Sequence, residues 1–355
     1  MDWGQGVTFA VTRRFAVSSL IGLSALRSAA QEEEMPETLT AVPGIKVGHW
    51  THETASTGCT VILAEGGAVA GVDVRGGAPG TRDTELLKPE MSVDTIHAVA
   101  LSGGSAFGLA TADGVMRYLE SEKIGYSFGG QVIPIVSAAI LFDLGVGDPK
   151  IRPTAESGAL AAKAASRDPV AMGSVGAGAG ATVGKMLGMR RAMKGGLGSA
   201  AIQLSNGLVV GALAAVNSVG DVVDPRSGAI IAGARSETGD GFVDAMVWLC
   251  SGRPFESNSG QNTTIGVVAA NVTWTKAQAT KVAQMAHDGL ARTVRPAHMP
   301  SDGDTIFALG TGGLTADSRL TGMIGAVAAD VFAQAVVAAV RAASSAFGLP
   351  SAADL

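Results

Sequence analysis

Asn262, Thr263 and Thr264 end a polar loop that begins at Glu256, and an apolar run, Ile265-Gly-Val-Val-Ala-Ala270, follows them. Two adjacent hydroxyls at the mouth of a core strand raise a specific chemistry. A threonine hydroxyl is a weak nucleophile until a base takes its proton. If Thr263 attacks the Asn262 carbonyl, an ester forms, water cleaves it, and Thr263 becomes a new amino terminus. Its own amine, with an ordinary pKa of about 7.7–8.0, is then a base on the same residue. The reaction needs Thr, Ser or Cys after the bond and a loop that permits strain before it. Both are present, although many inert Asn-Thr bonds also meet those terms.

Three other stretches supply partners. Ser301-Asp-Gly-Asp304 places two carboxylates on a tight turn that enters a strand, where Asp302 and Asp304 could orient the ammonium and hydroxyl of Thr263. The ordinary alternative is a solvated Asp-Gly turn. Asn217 ends an apolar strand, so its amide could donate to a developing oxyanion or simply cap the strand. Lys185 closes the side-chain-poor stretch Gly176-Ala-Gly-Ala-Gly-Ala-Thr-Val-Gly184, which reads as flexible and leaves room for an ammonium beside a reacting group.

That same stretch imitates a phosphate loop and fails. Ala179 stands where the Walker pattern needs glycine, and Met186 where it needs Ser or Thr. A relaxed dinucleotide fingerprint also matches, but no helical pattern follows it. His49-x-x-His52 reads as a surface pair, because His97, His287 and His298 lack helical spacing to it. Cys59 and Cys250 have no CxxC partner and read as two buried thiols. Ser102-Gly-Gly-Ser105 reads as a loop feeding a helix N-cap.

The elements that must position these groups follow from patterning. The chain has 355 residues, 47% apolar and 16% charged, enough for a large core. A net charge of −5 with no basic stripe argues against nucleic acid as a partner. The 49 glycines have no triplet period, which excludes collagen and points to tight turns and close backbone approaches. Strands are predicted at 60–64, 68–74, 263–270 and 306–310, with one or two more in 132–144. Asn206-Gly207 inside 195–217 predicts a hairpin turn. Helices are predicted over 105–119, 153–166, 275–294 and 322–347, the third with Thr275 and Gln278 as a capping box. Many strands with a few long helices give an α/β or α+β domain. Residues 1–40 read either as a disordered extension or as an export signal, from Arg13-Arg14, the apolar stretch after it and Ala29-Ala30. The protein is accordingly expected in the cytoplasm, or in the periplasm or outside the cell if that signal acts. Elsewhere no run is expected to span a bilayer.

The chain resembles the self-processing amide hydrolases that include the DmpA-type L-aminopeptidase/D-esterase, the β-peptidyl aminopeptidases and the nylon-oligomer (6-aminohexanoate) hydrolases. The resemblance runs from about Gly44 to Gly348. It is carried by G-I-K-V-G-H-W, V-D-V-R-G-G-A-P-G-T-R, L-S-G-G-S-A-F-G-L-A-T-A-D-G-V, V-G-A-G-A-G-A-T-V-G-K, N-T-T-I-G-V-V and D-G-D-T-I-F, in one order. It implies a four-layer α/β/β/α sandwich and a single catalytic domain, 41–355, cut between Asn262 and Thr263 into 41–262 and 263–355. It further implies Thr263 as nucleophile, Lys185 as charge support, Asn217 in the oxyanion hole, and Asp302 and Asp304 orienting Thr263. No metal or organic cofactor is required. The expected partners are a small peptide or oligoamide substrate and further copies in a homotetramer or larger, with no nucleic acid and no membrane. Gly104, Ser105 and Phe107 fall in the glycine-rich substrate loop. Thr263 with Asp-Gly-Asp sits closer to the nylon-oligomer branch, but that branch's loop tyrosine is Phe107 here. Ornithine acetyltransferases, which share the fold type and the self-exposed threonine, supply the alternative of acyl transfer to an amine.

Overall fold

The glycine pair Gly66-Gly67 lies between the two short strands predicted at 60–64 and 68–74. In the computed structural model, which describes residues 38–254 and 262–355, it instead bends one long strand. We number the strands of the main sheet in chain order. They are β1 Lys46–His52, β2 Thr57–Val74, β3 Thr81–Arg82, β4 Thr95–Ser102, β5 Val136–Ile140, β6 Gly196–Gln203, β7 Val209–Asn217, β8 Thr263–Thr273 and β9 Thr305–Thr315. The helices are α1 Thr111–Ser121, α2 Ala155–Lys163, α3 Ala245–Cys250, α4 Lys276–Thr293 and α5 Ser318–Arg341. The register of β2 against β4 shifts between Leu63 and Ala68, as at a bulge, so pairing bends there without ending. Residues 1–37, with the extension or export signal, and 255–261, most of the loop before Asn262, lie outside the described residues.

The sheet runs β6-β7-β8-β9-β2-β4-β5-β3, with β1 also paired to β2. The β8–β9 and β4–β5 pairs are parallel and the others antiparallel. Side chains that alternate along these strands divide among three buried clusters. Val268, Ala270 and Val272 of β8 join Val282 and Leu290 of α4 and Phe332 and Val336 of α5. Val61 and Leu63 of β2 join Val115 and Leu119 of α1 and Ala161 of α2. The opposite faces meet each other: Ile265, Val267 and Phe307 share a core with Ile62, Val99 and Leu101. The order of layers is therefore α4/α5, one half of the sheet, the other half, α1/α2. This is the α/β/β/α arrangement, with β2 shared by both β layers. The close approach of β2 to α4 requires Gly71, where a Cβ would lie 2.1 Å from the Thr280 nitrogen.

Local signals explain most boundaries. Gly207 takes φ +82° in the β6–β7 turn. Thr275 and Gln278 form the expected reciprocal cap on α4, and Thr154 with Ser157 forms another on α2. The helix expected from Ser105 starts as a 3-10 turn, Ser105–Ala110, before α1. Gly104 takes its N-cap position, so the Ser102-Gly-Gly-Ser105 loop does feed a helix N-cap, though without a side-chain cap. Among the described residues, one helix is long and apolar enough by length and composition to cross a bilayer, although glycine and charge interrupt it. It is α5, with mean hydropathy 2.0 in its most apolar window, and 67% of that window is buried. The hydropathy serves the α4/α5 core.

Candidate active site

Strand register brings the predicted groups together. Asn217, the last residue of β7, pairs with Thr263, the first of β8. Both are buried. The Thr263 Oγ1 donates to the carbonyl oxygen of Asn262, the residue before it. The Gly303 N–H donates to that same oxygen at 3.0 Å. One carbonyl thus faces a hydroxyl across its own peptide bond and carries a backbone donor on its oxygen. A donor there stabilises negative charge if the carbon is attacked.

The Asp302-Gly303-Asp304 turn is buried, so it is not a solvated turn. The loop at 75–78 clamps it through Ala78 N–H to Asp302 O at 2.7 Å and Arg75 N–H to Asp304 O at 3.0 Å. Gly303 must be glycine, because a Cβ there would stand 2.7 Å from the Thr263 Oγ1. The two carboxylates are not equivalent. Asp304 Oδ1 accepts from the Thr264 N–H at 2.7 Å, and Oδ2 from the His298 N–H at 3.0 Å and the His298 ring Nδ1 at 2.9 Å. Asp302 Oδ2 accepts from the Met299 N–H at 2.9 Å. Its Oδ1 is buried with no partner among the described residues. The expectation that both aspartates grip Thr263 is therefore refined: Asp304 holds the next amide, and Asp302 keeps an oxygen uncommitted.

Lys185 is buried, and Nζ donates to both Asn217 O and Asn217 Oδ1 at 2.9 Å. The Thr182 N–H also donates to Oδ1 at 2.9 Å, while Asn217 Nδ2 donates to Phe142 O at 2.9 Å. The glycine–alanine stretch before Lys185 is not a flexible one. Residues 176–184 are buried throughout, and small side chains let the backbone pack there. Burial pushes the Lys185 ammonium down to about 7, against the opposing pull of Asp302 and Asp304. Burial, then the Asp304 charge, pushes Asp302 up to about 7, against the Met299 N–H, Lys185 and His298. Desolvation outweighs pairing at both groups, so burial disfavours the charged form of each.

The expected substrate loop reaches the site indirectly. The Gly104 N–H donates to Asp143 Oδ1 at 2.7 Å, and the Ser105 N–H to Leu141 O at 3.0 Å. Phe142, between those acceptors, carries the carbonyl that holds Asn217. Neither Gly104, Ser105 nor Phe107 bonds Thr263 among the described residues. Phe107 is 60% exposed, with the Arg152 guanidinium 3.9 Å from its ring centre. A cavity of about 40 Å³ lined by Phe142, Asp143, Thr182, Lys185 and Met189 lies beside the site. A roomier hollow of about 370 Å³ near Asp224, Gln334 and Arg341 lacks a comparable cluster of buried titratable groups.

Two participants escaped the sequence reading. The Gly303 N–H is a backbone group that no residue type advertises. His298 had been weighed only as a metal ligand, although it stands six residues before Asp304. The other histidines have structural partners: His49 Nδ1 meets Thr60 Oγ1 at 3.0 Å, and His52 Nδ1 accepts from the Ala55 N–H at 3.2 Å. Cys59 is buried, but Cys250, expected to be buried, is exposed on α3.

Comparison with known proteins gives the family and the fold. An uncharacterized aminopeptidase of Mycobacterium leprae is 46% identical over 351 residues, 88% of this chain and 92% of that protein. The 6-aminohexanoate-oligomer endohydrolase of Kocuria sp. is 30% identical over 272 residues, 76% of this chain and 73% of that one. The L-aminopeptidase D-Ala-esterase/amidase of Ochrobactrum anthropi, a described variant of the Ntn-hydrolase fold, superposes with TM-score 0.66 at 19% identity, over 86% of each chain. That likeness shows the shared fold. The sequence pattern of peptidase family S58 matches residues 37–352, and the chain belongs to that family.

Proposed function

We propose that the chain is an amide-bond hydrolase that makes its own nucleophile by cutting between Asn262 and Thr263. The observation that carries this is the Thr263 hydroxyl on the Asn262 carbonyl, with the Gly303 N–H on the same oxygen. In the uncut chain the Thr263 nitrogen is an amide and cannot act as base. The hydroxyl proton must go elsewhere, and Asp302 Oδ1 and neutral Lys185 are the buried acceptors at hand. Oγ1 attacks the Asn262 carbon and the oxyanion sits on the Gly303 N–H. The C–N bond breaks as the nitrogen takes a proton, and an ester remains. Water splits the ester into an Asn262 carboxylate and the Thr263 hydroxyl, which now stands beside the amine freed when the C–N bond broke.

That amine is the base in the second stage. It takes the Oγ1 proton as Oγ1 attacks the substrate carbonyl, and passes it to the leaving amine. Water then releases the acyl group from Thr263. Asn217 is assigned the oxyanion, because register places its amide beside Thr263. Its Nδ2 also donates to Phe142 O, which fixes the orientation of that amide. Lys185 on Oδ1 polarises the amide and strengthens that donor.

The substrates are small peptides or peptide-like oligoamides. The aminopeptidase and endohydrolase names of the relatives support amide substrates with water as acceptor, over acyl transfer to an amine. Aminoacyl nitroanilides, β-peptides and 6-aminohexanoate oligomers assayed side by side should show turnover of at least one class. Acyl transfer to added amine that outpaces hydrolysis on all three would overturn the hydrolase reading.

Two further results are expected. Self-cleavage should accelerate as pH rises through about 7, because Lys185 and Asp302 accept a proton only in their deprotonated forms. Half-times of the precursor on denaturing gels across that range check this, and a rate that falls with rising pH would contradict it. Gly303→Ala should slow self-cleavage by about 10- to 100-fold, since its Cβ would displace the Thr263 hydroxyl from 2.7 Å. A wild-type half-time in that variant would remove the turn from the mechanism.

A further inference from the structure

His298 lies outside the residue set assigned so far, yet its ring meets the Asp304 carboxylate at 2.9 Å. Its φ is +58°, in the left-handed region that bulky residues avoid. That turn brings its backbone N–H and its ring Nδ1 onto one oxygen, Asp304 Oδ2, at 3.0 and 2.9 Å. An ionised carboxylate only accepts, so Nδ1 carries the hydrogen. The ring is held in turn. Buried His287 of α4 meets it edge-on, with ring centres 4.8 Å apart. His287 Nε2 lies 3.0 Å from Asp73 O on β2 and 3.5 Å from Asp73 Oδ2. The carbonyl oxygen only accepts, so Nε2 carries the hydrogen. A column therefore runs from β2 through His287, His298 and Asp304 to the Thr264 amide.

We infer that His298 is a positioning residue for Thr263: it pins Asp304 on the Thr264 amide, fixing the first turn of β8, and leaves Asp302 as the carboxylate with an oxygen open to the nucleophile. The charged and titratable groups around it are Asp304 and Asp302 on the turn, His287 on α4, Asp73 on β2 and Lys185 across the site. The inference rests on Thr263 being the nucleophile, as proposed above. It differs from a packing role, because it requires a donor at the Nδ1 position and not only a filled space.

Two substitutions separate those roles. Asparagine and glycine both tolerate the left-handed backbone, but only asparagine places an N–H where Nδ1 now stands. His298→Gly should slow self-cleavage and lower kcat on an aminoacyl nitroanilide by about tenfold or more, with KM within about twofold. His298→Asn should recover to within about threefold of wild type in both assays. His298→Leu, which fills the space without donating, should fall with the glycine variant and replaces it if that variant is insoluble. Asparagine no better than glycine or leucine, or a donor-less variant at the wild-type rate, would overturn the inference. Thr263→Ala in the same series keeps the two failures apart. Cutting that survives in Thr263→Ala sinks the proposed function. Cutting lost there but unchanged in His298→Gly sinks only the role of His298.

Discussion

Thr263→Ala is expected to yield one uncut chain with no amidase activity. Removing the nucleophile of a hydrolase that works through an acyl intermediate typically costs about 10⁶ in kcat. Here the loss is compounded, because the same hydroxyl performs the cut that creates the base. The fold should be almost untouched. The Oγ1 contact is a donation to Asn262 O, and that oxygen keeps the Gly303 N–H when the hydroxyl is gone. The β8 register set by Asn217↔Thr263 is backbone pairing and does not need the side chain. The stability change should therefore be about 1 kcal/mol or less, the net worth of one hydrogen bond. A denaturing gel and a melting curve check both halves. Two bands in Thr263→Ala would mean that an outside protease makes the cut.

The second large effect is expected at Lys185. Methionine has nearly the same reach, but it removes the Nζ donation to Asn217 O and Oδ1. Two effects on stability then oppose each other. Buried acceptors that lose a partner cost about 1–3 kcal/mol. Against this, the protein no longer carries the burial cost of an amine, a cost visible in its depression to about 7. Asn217 Oδ1 also keeps the Thr182 N–H. The net stability change should be small, while the polarised Asn217 amide and one buried proton acceptor are both lost. Lys185→Met should thus fold with a melting temperature near wild type and lose about 10²- to 10³-fold in self-cleavage and in kcat. An active Lys185→Met enzyme would mean that the ammonium only props up the strand end. A variant that fails to fold would mean that the two acceptors outweigh the cost of burial.

Much of this site was legible because its chemistry resides in residue types. A threonine after an asparagine, a lysine closing a side-chain-poor stretch, an asparagine at a strand end and an Asp-Gly-Asp turn are all visible without coordinates. The fold brings all four together around the start of β8. What stayed hidden resides in backbone geometry and packing. The small residues from Gly176 to Gly184 looked like slack, yet they are buried, and small side chains are what close packing demands as much as what mobility does. Gly66-Gly67 looked like a break, but neighbouring strands on both sides carried β2 through its bulge. The high mean hydropathy of α5 is spent on the α4/α5 core. His298 reaches Asp304 only because its backbone takes φ +58°, which side-chain spacing does not encode. The unequal aspartates depend on which N–H groups Thr264 and residues 298–299 present, and those belong to no residue type.

The central claim is that the chain cuts itself before Thr263. Intact mass and N-terminal sequencing of the purified protein test it most directly. The account predicts a fragment with the mass of residues 263–355 that begins Thr-Thr-Ile-Gly-Val, a second fragment ending at Asn262, and neither fragment in Thr263→Ala. A single chain that remains intact after prolonged incubation, or a cut at another bond, would contradict it.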